Sequence, residues 1–316
     1  MGRAFGEYEV IDSFDCGSCA TIHRVKHKDE TLPIFRAVKE LVLNFNDYSR
    51  NDKEKLTASF QKECKELLRL GNGGHPNIVR IYQYRDLEKE KWLLMDFIKG
   101  CNIEKYLEKK NKFIVIEEVM RFVKEISSAL AYCHEDIYEF CNDSTDDITD
   151  EIEKQKLIQK YKVVHNDLHH KNIIRRKYDG SYILLDFGMA IKGGEKANTI
   201  QRNEGIPEYK APEKFNDKDG NDIEGDNNTK ITEQSDIYSF GILMYEMLAG
   251  QPPFVYNKDD KIIETENDYS QLWRKHKKVM PPPIEPLRRA NFEKNNPGKT
   301  FENYPDWLEK VIMKCL

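Results

Sequence analysis

The sequence predicts an α+β chain in two parts, a strand-rich first third with one main helix and a mostly helical remainder. Three observations predict it. Short runs of strand composition dominate up to about residue 95. A single stretch of helical period, residues 53–70, interrupts them. Beyond "KGCN" the pattern changes to long amphipathic or wholly apolar helices.

Taken in order, "YEVIDSF" (8–14) and "ATIHRVKHK" (20–28) alternate roughly as strands, and "IFRAVKELVL" (34–43) is a longer β-type run. "KEKLTASFQKECKELLRL" then sets Leu56, Phe60, Leu67 and Leu70 near one helical face, and "GNGGHPN" ends it. "IVRIYQY" (78–84) and "KWLLMDFI" (91–98) read as two more strands. "IVIEEVMRFVKEISSALAYCHE" (114–135) is a long amphipathic helix. "EQSDIYSFGILMYEMLAG" (233–250) is apolar almost all round, which predicts a buried helix. Two inserts are expected as loops. One, at about 136–160, opens on the acidic "EDIYEFCNDSTDDITDEIEKQ"; the other, 216–230, is polar and rich in Gly and Asn.

At 316 residues, with 39% apolar and 33% charged side chains, the chain suits a globular protein with a wet surface. The net charge of −5 gives no pull toward nucleic acid or anionic lipid. No run approaches the roughly 20 apolar residues of a spanning helix, and "MGRAFGEYEV" has no apolar signal core. Seven cysteines without framework spacing point to a reduced, cytoplasmic protein. "CGSC" (16–19) is a Cys-x-x-Cys pair with no second pair to complete a zinc site, so it reads as small residues in a tight loop.

"VVHNDLHHKNII" (163–174) is the densest polar stretch. His165 and His169 have the four-residue spacing of zinc ligands on a helix. Asn166 stands where such a site needs glutamate, and the segment lies between strand-like ends, so zinc is disfavoured. His165 reads as structural and His170 as exposed. Fourteen residues after Asn172 comes Asp186, in "LLDFGMA". Phosphoryl transfer needs a carboxylate to orient the attacking hydroxyl and hard oxygen ligands for magnesium or manganese on the phosphates. Asp167 suits the first task; Asn172 and Asp186 suit the second. A cation for the phosphates is offered by Lys39 in "FRAVKEL", and a carboxylate to orient it by Glu63 in "FQKECKELL".

In this order the segments resemble the eukaryotic-type protein kinase family over nearly the whole length. "RAVK", "HPNIVRIY", "HNDLHHKN", the literal D-F-G at Asp186–Gly188, "GIPEYKAPE" with A-P-E at Ala211–Glu213, and "SDIYSFGILMYEMLAGQPPF" carry the resemblance. It implies a bilobal fold: an antiparallel sheet lobe over 1–95, a hinge at 96–100 and a helical lobe over 101–316. It further implies Mg-ATP as cofactor and a protein hydroxyl, serine or threonine, as acceptor. Met95 is then the gatekeeper, Asp96 to Ile98 the adenine-binding hinge, and Phe14, Ile22, Ala37 and Ile174 the walls around the base. Asn102 falls at a ribose-binding position, and Asp236 braces the catalytic loop.

The departures are as specific. Only Gly17 survives of the Gly-rich loop, within "DCGSCA". Asn166 replaces the loop arginine, which implies activity without phosphorylation at Thr199. His169 stands where a lysine faces the transferred phosphate, and Ile206 where a threonine touches that lysine; His169 is expected to stabilise the phosphoryl group. The degraded loop favours the alternative of a pseudokinase scaffold. "HNDLH" alone also resembles small-molecule kinases acting on choline or aminoglycosides. The family's last helix, whose arginine pairs with the glutamate of A-P-E, has no counterpart before Leu316. The chain is therefore expected to be a fragment, or Glu213 to have another partner.

Overall fold

The computed structural model describes residues 3–15, 20–29, 31, 34–42, 49–87, 90–136, 151–192, 205–215, 231–254, 266–301 and 303–316. Gly17, Thr199, the "CGSC" pair and the 216–230 insert lie outside them.

Six strands form one antiparallel sheet: β1 (Ala4–Phe5), β2 (Tyr8–Asp15), β3 (Ala20–His27), β4 (Phe35–Leu41), β5 (Ile81–Leu87) and β6 (Glu90–Asp96), in the order β1-β2-β3-β4-β6-β5. The two-residue β1 is not evident in the sequence pattern. It buries Phe5 against Val25, Val38, Trp92 and Leu94 on one face. Helix α1 (Arg50–Gly73) covers the other face, burying Phe60, Cys64, Leu67 and Leu70, the spacing of one helical stripe.

The remainder is mostly helical, as its sequence predicts. β7 (Gly100–Asn102) leads into α2 (Ile103–Lys109), whose N-cap is the Asn102 side chain, accepting from Lys105 N at 2.9 Å. Helix α3 (Ile116–Ala131) buries Phe122, Ile126 and Leu130. The 136–160 insert departs from the loop expectation, because residues Glu151–Tyr161 form a helix, α4. Its Glu, Lys, Gln and Leu are strong helix formers, and none of its side chains is buried. Short strands follow: β8 (Val163–Val164), β9 (Ile173–Arg176), β10 (Tyr182–Leu184) and β11 (Ile191–Lys192). The catalytic-loop candidate therefore runs between β8 and β9.

Helix α5 (Glu233–Ala249) is the buried helix the composition predicts; every residue from Ser235 to Ala249 except Ile237 is buried. Thr232 caps its start through a capping box with Ser235. Gly250 ends it at φ 81°, where a Cβ would meet Lys112 O at 2.4 Å. α6 (Glu266–Lys278) packs on the Pro212–Lys214 turn and reaches α5 through His276 and Tyr238, while α7 (Ile284–Asn295) and α8 (Asp306–Cys315) pack around α5. Among the described residues no helix is long and apolar enough to cross a membrane.

Candidate active site

A cavity of about 1030 Å³ lies between the sheet and the helical part. Strand register explains its roof. Phe14 pairs with Ile22 and Ile22 with Lys39, while Ala37 pairs with Met95. Cross-strand partners share a face, and Ala37 and Lys39, two apart, share theirs. Asn102 pairs with Ile174 across β7 and β9 and forms the floor. Phe14, Ile22, Ala37, Met95, Asp96, Ile98, Asn102 and Ile174 all line this cavity, with Phe14 half-exposed at its lip.

The polar set converges at the inner end. Lys39 Nζ donates to both oxygens of Glu63 at 2.8 Å and to Asp186 Oδ2 at 3.1 Å. Glu63 is carried there by α1, one residue before the buried Cys64. Burial opposes the charge on Lys39, but the carboxylates of Asp186 and Glu63 outweigh it and raise its pKa. Burial pushes Glu63 up to about 7, against the Lys39 charge. Burial would raise the Asp186 carboxyl as well, yet Lys39 holds it below its ordinary value. Asp186 has φ 56°, a left-handed conformation uncommon outside glycine, and its Oδ1 accepts from Gly188 N at 3.2 Å.

Asp167 and Asn172 complete the set on the opposite wall. Asn172 Nδ2 donates to Asp167 O at 2.9 Å and to Asp167 Oδ2 at 3.2 Å. That leaves Asn172 Oδ1 without a hydrogen-bond partner among the described residues, free to ligate a cation beside Asp186. Burial works against the Asp167 charge, but His169, Lys214 and His165 lower its pKa to about 2, so it is a carboxylate at neutral pH.

The loop that carries Asp167 is held from below. Asp236, buried on α5, accepts from His165 N at 2.7 Å and Asn166 N at 2.8 Å, and His134 Nε2 lies 2.9 Å from it. Asp236 is thus placed as the brace the sequence leads one to expect. Asn166 has φ 65° and its Nδ2 donates to Met189 O at 3.0 Å.

The histidines separate. His165 is fully buried, with Nε2 at 2.8 Å from Leu185 O and its ring against Phe187, a structural role. His169 lies outside the cavity lining; its Nδ1 accepts from Lys171 N, and its Nε2 is 3.5 Å from Asp167 Oδ2. His170 corrects the expectation of an exposed side chain. Its Nδ1 lies 2.6 Å from Tyr209 OH and 3.1 Å from Glu246 Oε1, and only 14% of its side chain is accessible. The buried Tyr209 and, on α5, the buried Glu246 explain it, and no local pattern discloses them. Glu213 has a partner here: its Oε1 accepts from Ser235 Oγ. Two further residues of the site gave no sequence signal. Lys214 Nζ donates to Asn166 O, and Gly205, at φ 105°, leaves room beside the Asp167 carboxylate.

Comparison with known proteins identifies the family. The family model described as "Protein kinase domain" matches residues 8–140 and 148–316. The chain is 27% identical over 257 residues to the "Probable serine/threonine-protein kinase PknB" of Lactococcus lactis, covering 80% of this chain and 33% of that protein. It is 28% identical over 257 residues to the "G2-specific protein kinase nimA" of Emericella nidulans, covering 78% and 33%. It is 24% identical over 320 residues to the human "SNF-related serine/threonine-protein kinase", covering 98% and 34%. The chain spans about a third of the length of these curated relatives. The family match runs through the sheet and the helical part alike and skips only residues 141–147 within its span, and the chain therefore belongs to the protein kinase domain family.

Proposed function

We propose that the chain is an active catalytic domain that transfers the γ-phosphate of Mg-ATP to a serine or threonine hydroxyl of a protein. Residues 1–95 and 101–316 are its two lobes and 96–100 its hinge. The observation that carries the reading is Lys39 bonded to both Glu63 and Asp186, in the same cavity as Asp167 and Asn172.

The residues present fit the nucleotide and metal. Ile22, Ala37 and Ile174 offer an apolar slot for a flat base, and Asp96 to Ile98 offer backbone groups at its edge. Asn172 Oδ1 and the Asp186 carboxylate are hard oxygen ligands suited to magnesium or manganese. When bound, that cation neutralises charge on the phosphates and aligns them. Lys39, fixed by Glu63, anchors the α- and β-phosphates; a fixed cation stabilises charge without reorganising. Asp167, ionised and held by Asn172 Nδ2, orients the acceptor hydroxyl and takes its proton. The free thiols of Cys64, Cys101, Cys133 and Cys315 support a reducing, cytoplasmic setting.

The test is transfer of radiolabelled phosphate from ATP with magnesium to generic protein acceptors and to choline and an aminoglycoside. Asp186→Asn serves as the control. Label in protein, lost in the control and found on serine or threonine, is expected. Nucleotide-dependent thermal stabilisation without transfer would establish a scaffold instead, and label confined to the small acceptors would overturn the protein substrate.

A further inference from the structure

We propose that Lys214, which directly follows the A-P-E segment, is a positioning residue for the catalytic loop: it binds the Asn166 carbonyl and brings to that loop a cation from outside it. The inference rests on the kinase reading of Asp167.

Lys214 is 3% exposed at the end of the short 3₁₀ turn Pro212–Lys214. A buried ammonium costs several kcal/mol unless it is compensated. Among the described residues no carboxylate lies in ion-pair contact with it. Its bond is to the carbonyl oxygen of Asn166, the residue before Asp167. Burial lowers its pKa, while Asp167, Asp236 and Glu213 act together to keep it charged. A lysine that served only to pin its own turn would be expected to bond within that turn. This one reaches 48 residues back along the chain.

What it grips is an uncommon backbone. Asn166 has φ 65°, a left-handed conformation uncommon outside glycine that asparagine tolerates better than most residues. Asp236 takes the Asn166 N–H from α5 and Lys214 takes the Asn166 carbonyl from the A-P-E side. Asn166, the residue leading into Asp167, is thus held at both its N–H and its carbonyl. The loop's own sequence, "HNDLHHKN", places no arginine at 166 and no lysine at 169. Lys214 therefore brings a cation against the loop at the residue before Asp167, from outside the loop's own sequence.

Lys214→Met removes the charge and the donor at similar volume, and Lys214→Arg restores both. Both are compared with wild type in the 316-residue chain by amide hydrogen exchange and by transfer to casein. In Lys214→Met the amides of His165 and Asn166 should exchange at least tenfold faster while those of 240–247 stay within twofold. The kcat should fall about tenfold or more, with KM for ATP within twofold. Lys214→Arg should recover most of both. Should the methionine variant not fold, the same comparison is made with Lys214→Gln. Unchanged exchange at 165–166, or a kcat loss that arginine does not restore, overturns the proposal. Absence of transfer by wild type would overturn the proposed function instead, and the exchange measurement would still decide the role of Lys214.

Discussion

Gly205→Ala is a stringent test of where the reacting groups sit. Gly205 has φ 105°, and a Cβ built on it would lie 2.9 Å from Asp167 Oδ1, against an ordinary contact of 3.4 Å or more. The carboxylate or the glycine backbone must therefore give by about half an ångström. A misplacement of about 1 Å costs roughly a hundredfold in rate, so half of that predicts a fall in kcat of about tenfold. The positive φ adds about 1–2 kcal/mol of strain, which for a chain of this size lowers Tm by roughly 2 °C. Gly205 does not line the cavity, so nucleotide affinity should not move. Steady-state kinetics with varied ATP, nucleotide binding by calorimetry and a thermal melt together make the measurement. A kcat within twofold of wild type, or a loss carried by nucleotide affinity, would refute the placement of Asp167 as the group that orients the acceptor.

His169→Ala removes the imidazole 3.5 Å from Asp167 and should lower kcat by roughly ten- to a hundredfold; unchanged turnover would exclude a part for His169 in transfer. Asn166→Arg replaces a residue tolerant of left-handed backbone and deletes the bond to Met189 O, so Tm should fall by about 2 °C, and a rise in the melt would count against the argument. His276, buried beside Phe215, Phe254 and Tyr238, has its pKa lowered by burial from 6.5 to about 3. It stays neutral when folded and gains a proton when unfolded, so its contribution is present above about 6.5 and lost as pH falls. At 1.36 kcal/mol per pH unit this amounts to about 2 kcal/mol between roughly pH 7 and pH 5, or about 3 °C. His276→Gln should lose that much of its acid sensitivity, and an unaltered pH dependence of the melt would contradict it.

Local signals carried most of the fold. The β-run around Lys39, the helical stripe ending at Leu70 and the apolar helix from Ser235 to Ala249 lie where period and composition put them. The α4 helix departs from the loop expectation because an acidic, polar stretch lacks the apolar period of a packed helix, while its helix-forming side chains need no core. In the candidate site, Lys39, Glu63, Asp167, Asn172 and Asp186 were legible because residue type and spacing both point to one reaction. His170 was not, since its partners Tyr209 and Glu246 are 39 and 76 residues away. Lys214 escaped for the same reason: burial of a lysine in a polar-looking run is visible only when the chain is folded.

The Asp236 carboxylate has a thermal consequence. The two amides that shape the loop end on a helix with almost no solvent-facing side chain. The loop cannot keep its geometry once the helix beneath it is lost. Heat inactivation then comes no later than loss of the core, and the cohesion of α5 with its neighbours sets the upper temperature limit of turnover.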